Sequence, residues 1–211
     1  MNEPSHGVLG PVERYYTAKL TEHGPTPLGV DWNGEASQRT RFEQLARVIS
    51  APEPFSVNDL GCGYGALFAF LGERFAEFAY SGVDISEAMI HAATSRFGAD
   101  LRSRFFVGAA CPEPADYTFA SGVFNVRPEV DAARWRTHVL EILDRMSESS
   151  RRGFAFNCLT AYSDAVRMRP DLFYADPCAL FDHCKRHYAR NVALLHDYGL
   201  YEFTVIVRKN T

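Results

Sequence analysis

Asp59-Leu60-Gly61-Cys62-Gly63-Tyr64-Gly65 is the segment of this 211-residue chain whose residue types and spacing point most directly to chemistry. Glycines at three alternate positions let the backbone turn tightly and come into contact with a ligand. Where such a turn joins a strand to a helix, the free N–H groups of the helix start stand behind it as donors. Asp84 follows Gly65 by nineteen positions and closes the run Tyr80-Ser81-Gly82-Val83-Asp84. A carboxylate at that point can accept from both hydroxyls of a ribose; its competing role is to cap the helix that opens near Ser86. Together the two features imply an adenosine-containing ligand. They do not separate one nucleotide from another, since Gly61-x-Gly63-x-x-Ala66 also fits the loose dinucleotide pattern. Asp59 bears on that choice, because its charge would face the pyrophosphate of NAD but would suit a ligand carrying an ammonium group.

These residues need a scaffold, and the hydrophobic periodicity supplies one. Residues 55–61, 78–84, 103–108, 116–124 and 152–159 read as strands. Helical spacing runs from Ala36 to Ile49, from Ala66 to Phe75, from Ser86 to Phe97 with Ser86 at the N-cap, and from Asp131 to Met146. Strands alternating with helices predict an α/β fold, doubly wound, with a mainly parallel sheet covered on both faces. Residues 192–198 and 200–207 are strand-like with only Gly199 between them, too close for a crossover, so they should close the sheet as an antiparallel hairpin. Breakers at Gly24, Pro25, Pro27, Gly29 and Gly34 mark residues 1–34 as an irregular N-terminal arm, leaving 35–211 as the ligand-binding domain.

The quoted segments carry a resemblance. VNDLGCGYGALFAFL resembles the first motif of the class I S-adenosylmethionine-dependent methyltransferases, YSGVDISEAMIHAA resembles their following acidic motif, and the closing hairpin is similar to their last two strands. The resemblance spans about Phe55 to Lys209 and implies a seven-stranded sheet of order 3-2-1-4-5-7-6. By it, S-adenosylmethionine is the cofactor and S-adenosylhomocysteine the product. Gly61, Gly63 and Gly65 would line the methionine moiety, Asp84 would hold the ribose, and Ile85 and Met89 would flank the adenine, with Asp59, Cys62, Ser121 and Gly122 also in the cofactor site. Many relatives place an acid after the third strand for the adenine amino group. Here that stretch is Gly108-Ala109-Ala110, so the adenine contacts near Ala109 should come from backbone groups and apolar walls.

Ser121, Gly122, Phe124 and Asn125, at the tip of the fourth strand, should lie close to the transferred methyl. Gly122-Val123-Phe124-Asn125-Val126 does not match the tetrad used by methyltransferases acting on nucleic-acid base amino groups. The net charge of −4 gives no footprint for a polyanion. A small-molecule acceptor, methylated on oxygen or nitrogen, is the expectation. Tyr15, Tyr16 and Trp32 of the arm, with Tyr162 and Arg167 of the 160–190 insertion, would cover it as a lid. His23, His138, Tyr162 and His196 are the candidate bases. A catalytically silent cofactor-binding scaffold and an NAD-dependent oxidoreductase are the competing readings.

The remaining features exclude more than they assign. With 46% hydrophobic and 23% charged residues the composition is that of a globular domain. No apolar run approaches the roughly 20 residues that span a bilayer, and the start MNEPSHGVLG has no secretory pattern, which makes the cytoplasm the expected compartment. Five cysteines without a CxxC pair read as reduced thiols. His183 and His187, four apart, would share a helix face, but no second pair with zinc spacing accompanies them, so no metal site is expected. Arg167, Arg169, Arg186 and Arg190 could grip an anion, against the plainer role of a solvated loop.

Overall fold

In a computed structural model of the chain, residues 6–50, 52–127 and 130–209 are described. Strand β1 (Phe55–Leu60) leads through α3 (Ala66–Gly72) to β2 (Phe78–Asp84), and β2 through α4 (Glu87–Phe97) to β3 (Ser103–Val107). Strand β4 (Ala115–Ala120) is followed by α5 (Ala132–Glu148) and β5 (Ser150–Thr160). The short β6 (Tyr174–Ala175), α6 (Pro177–His187), β7 (Asn191–Leu195) and β8 (Glu202–Arg208) complete the chain. Ahead of the sheet come α1 (His6–His23) and α2 (Glu35–Ala46).

The sheet order is β3-β2-β1-β4-β5-β8-β7, with β6 pairing in parallel against the end of β5. It is the expected order with one two-residue strand added inside the 160–190 insertion. Strand β8 runs antiparallel to both β5 and β7. The hairpin strands are shorter than the hydrophobic run implied: His196 to Tyr201 form the connection, not Gly199 alone. Alternation along the strands builds two cores. On one face Phe154, Phe156, Phe203 and Val205 meet α5 and α6; on the other Val57, Tyr117, Phe119 and Ile206 meet α2 and α3.

The N-terminal arm departs from expectation, and it shapes the cleft together with the β3–β4 connection. Among the described residues the arm is helical from His6 to His23 despite the internal Pro11, and irregular after it. Val8 and Val12, one turn apart, are buried beside Leu60, Trp135 and Val139, with Tyr16 packed on the same cluster. That tertiary burial offsets the hydrogen bond the proline removes. Between β3 and β4, residues 108–114 form no helix, and Asn58 of β1 ties the connection down through Nδ2 to the Glu113 carbonyl at 2.8 Å. Strand β4 stops at Ala120, ahead of Gly122 with its φ of 77°, so residues 121–124 are turn.

A buried ion pair joins the two ends of the chain. Arg41 of α2 donates through Nε and Nη2 to the two carboxylate oxygens of Glu202, at 2.9 and 2.6 Å. Both residues are buried. Replacing Arg41 by Met leaves the Glu202 charge uncompensated in the core, and urea unfolding is expected to show a loss of about 3–5 kcal/mol.

Candidate active site

Gly61 and Gly63 take the backbone through positive φ values of 72° and 53° as β1 ends. The Gly61 and Cys62 amides turn back to the Val83 carbonyl at 2.8 and 3.0 Å, which fixes the glycine turn against the tip of β2. A side chain at Gly61 would meet Val123 at 2.5 Å, and one at Gly63 would press on Val30 at 3.3 Å. Gly65 also has positive φ, but there a side chain would strike Phe97 of α4, so it serves helix packing and does not line the cleft.

Asp84 does two jobs at once. Its Oδ2 accepts from the Gly63 amide and its Oδ1 from the Ser86 amide, both at 2.9 Å, so it braces the turn as well as the start of α4. Burial raises its pKa, against the lowering effect of those two amides. Ser86 caps α4 by accepting from the Met89 amide and also meets Thr17 of α1 at 2.8 Å. Asp59 is buried, and its Oδ2 accepts a 2.5 Å hydrogen bond from the Tyr80 hydroxyl. Its Oδ1 has no hydrogen-bond partner among the described residues. Burial lifts this carboxyl to about 7 despite the lowering pull of the Tyr80 hydroxyl.

These groups line a cleft of about 1060 Å³ of atom-free space, measured out to its open mouth. Of the residues singled out for the cofactor, Asp59, Gly61, Cys62, Gly63, Asp84 and Ile85 border it, as do Met89, Ala109, Ser121 and Gly122. Tyr16 and Trp32 border it from the N-terminal segment. The Tyr16 hydroxyl donates to the Gly122 carbonyl at 3.4 Å, and the Trp32 ring lies so close to Gly122 that a side chain there would meet it at 2.8 Å.

Other expected residues lie elsewhere. Phe124 is fully buried against Phe156, on the core side of the turn. Asn125 spends its Oδ1 on the Leu159 amide at 3.1 Å, bracing β5. Tyr15 points away from the cleft: its hydroxyl donates to Asp31 at 2.7 Å and accepts from Arg169 at 2.9 Å. Tyr162 is exposed beside the exposed His196, and Arg167 is exposed beside Asp164 and Tyr201. His23 pairs with Glu22 at 3.5 Å at the end of α1. Of the four candidate bases, His138 alone borders the cleft. His183 and His187 stack at 4.2 Å on α6, and among the described residues no group of three or more His, Cys, Asp and Glu could hold a metal ion.

Sequence reasoning named His138 but missed its neighbours on the α5 wall. Trp135, His138 and Ile142 face the cleft at three- and four-residue steps, and the amphipathic stripe that marks α5 as a core helix does not reveal that its upper turns border a cavity. Gln38 of α2 was missed as well; it borders the cleft and accepts from the Tyr64 hydroxyl at 3.1 Å.

The strand order, the glycine turn and the acid at the tip of β2 define a Rossmann-like methyltransferase, and the family model described as "Methyltransferase domain" matches residues 58–153. The chain belongs to the class I S-adenosylmethionine-dependent methyltransferases. A protein of Mycobacterium tuberculosis (strain ATCC 25618 / H37Rv) described as "Putative methyltransferase Rv1506c" is 55% identical over 163 residues, which are 77% of this chain and 98% of that one. The "Trans-aconitate 2-methyltransferase" of Rhizobium rhizogenes (strain K84 / ATCC BAA-868) is 32% identical over 56% of this chain, and the match spans 46% of that enzyme, about half its length. Among solved structures, a DhpI complex with SAH superposes with a TM-score of 0.65 at 16% identity, over 99% of this chain and 100% of that one. Human N-acetylserotonin methyltransferase in complex with SAM superposes with a TM-score of 0.64 at 17% identity, over 99% of this chain and 61% of that one. Likeness at such identities bears on the fold alone.

The Tyr80–Asp59 bond makes a direct prediction. Tyr80→Phe removes the one side-chain donor that lowers the Asp59 pKa, so its carboxyl should titrate above about 7, as read from side-chain carbon chemical shifts across a pH series.

Proposed function

We propose that this chain transfers a methyl group to the oxygen or nitrogen of a small molecule, with the cofactor on the Gly61–Gly65 turn and the acceptor against the aromatic wall formed by Tyr16 and Trp32. The observation that carries the reading is the bare Oδ1 of Asp59. A buried acceptor left unsatisfied costs about 1–3 kcal/mol, a cost that a bound donor removes. The amino group of the cofactor's methionine moiety is such a donor, and an ammonium beside Asp59 would also hold the carboxylate ionised. Asp84 borders the same cleft beside the Gly63 amide that it braces, where its carboxylate can accept from a ribose hydroxyl.

S-adenosylmethionine supplies an already activated methyl on a sulfonium, so what the chain must contribute is position. Tyr16 and Trp32 hold the backbone of Gly122 from two sides and present an aromatic surface there. An acceptor laid on that surface is confined and kept from water, and orientation of this kind can supply several kcal/mol of the barrier, up to about 7–11 in the best cases. The reading assigns no general base beside Gly122; burial makes the Tyr16 hydroxyl a poor acid and keeps it protonated as a fixed donor. A closed aromatic wall and a net charge of −4 both favour a small acceptor over a polyanion. Residues 6–34 act as the cover, and the 160–190 insertion holds them in place through Arg169 and Asp31 at 3.0 Å.

Calorimetric titration with S-adenosylhomocysteine tests the cofactor site. Asp84→Ala is expected to weaken binding by about 1.5–3 kcal/mol, and unchanged affinity would remove Asp84 from the site. Transfer of labelled methyl to a panel of phenols, carboxylic acids and amines tests the acceptor class. Tight product binding with no transfer to any of them would favour the silent scaffold.

The pH profile follows from Asp59. Its native carboxyl titrates at about 7, and an ammonium ligand binds the ionised form, so affinity for S-adenosylhomocysteine should be full above about 7. Affinity should then fall with pH below that value by up to about tenfold per unit, the limit for one linked proton. Asp59→Asn is expected to lower the affinity and flatten the profile.

A further inference from the structure

We propose that His138 receives the exocyclic amino group of the cofactor's adenine, taking the place of the acid that this chain lacks after β3. The inference rests on the cofactor reading above and adds a residue to it. Ile85, Met89, Ala109, Trp135 and His138 line one continuous cleft with Asp84. With the ribose on Asp84, the base goes to the neighbourhood of the residue that follows it, Ile85. Adenine presents an amino group that must donate, and where binding removes it from water that donor needs an acceptor. The stretch Gly108-Ala109-Ala110 brings no side chain that can accept it.

His138 supplies the missing complement. It is 7% exposed and lies on the α5 face that borders the cleft, where its imidazole can meet a ligand. Its placement is fixed one turn earlier, where the Trp135 indole donates to the Phe124 carbonyl at 3.0 Å and the Trp135 ring stands 5.2 Å from the imidazole. Burial depresses its pKa, which favours the neutral ring, and a neutral imidazole keeps one nitrogen free to accept. A ring nitrogen able to accept and a ligand amine that must donate thus meet in one cavity. The β3–β4 connection makes this possible: because residues 108–114 form no helix, the face of α5 borders the cleft directly.

The test compares S-adenosylhomocysteine with its analogue bearing hydrogen in place of the 6-amino group, each titrated calorimetrically into the full chain. Wild type should prefer the amino compound. His138→Phe, which fills the ring's volume, should weaken S-adenosylhomocysteine by about tenfold while leaving the deamino analogue within about twofold, and His138→Gln, which retains an acceptor, should recover most of the loss. Thermal unfolding of both variants should stay near wild type. An equal loss on both ligands would make His138 a packing residue, and unchanged affinity for S-adenosylhomocysteine would take it out of the site; either result overturns the proposal. Failure of wild type to bind either compound would overturn the cofactor reading itself, and this assignment with it.

Discussion

One buried chain of hydrogen bonds holds the cleft in shape. It runs from Arg41 to Glu202, from Glu202 to the Asn157 side chain at 2.6 Å, and from the Asn157 carbonyl oxygen to the Gly122 amide at 2.8 Å. Helix α2, strands β8 and β5 and the tip of β4 are thereby fixed to each other across most of the sequence. Above Arg41 lies Trp32, its ring 3.7 Å from the guanidinium, so the same chain sets the aromatic wall as well as the floor. Burying two charges is costly, and a hydrophobic pair of similar volume is often at least as stable. What the polar chain adds is direction: each hydrogen bond permits one geometry, and the last link positions a backbone group in the cleft.

The opposite side of the cleft depends on backbone conformation. Positive φ at Gly61 and Gly63 is accessible to glycine at little cost, and it turns the chain so that Asp84 can brace the turn from β2. Helix α1 is then tied to this side by the contact of Thr17 with Ser86, and to the insertion by the cluster of Tyr15, Asp31 and Arg169. Desolvation raises the Tyr15 hydroxyl to about 12, in keeping with a group that serves as a fixed link and not as an acid. Val12, Tyr16, Val30 and Trp32 border the cleft from the N-terminal segment, which sequence periodicity describes poorly.

Asp59 and His138 are both buried and polar and both border the cleft, and the Oδ1 of Asp59 has no hydrogen-bond partner among the described residues. Their neighbours push them in opposite electrostatic directions: burial raises the carboxyl and lowers the imidazole, and in each case the neutral form is favoured. A ligand with an ammonium at one end and a neutral amine at the other would meet both.

Strand and helix positions were legible in the sequence because period-2 and period-3.6 patterns report directly which side of each element is buried. The glycine turn and Asp84 were legible for a different reason: the requirement falls on residue type at fixed short spacing, within one strand-turn-helix unit. Tertiary structure alone decided that Pro11 sits inside a helix, because only the burial of Val8 and Val12 against Trp135 offsets the lost hydrogen bond. It also decided that Phe124 and Asn125 belong to the core side of the β4 tip, since the turn at Gly122 reverses which side chains face outward. The ion pair of Arg41 with Glu202 and the place of His138 on the cleft wall have no local signature at all. Both depend on contacts between segments far apart in the chain, and a single sequence records the residues at each end of such a contact but not the distance between them.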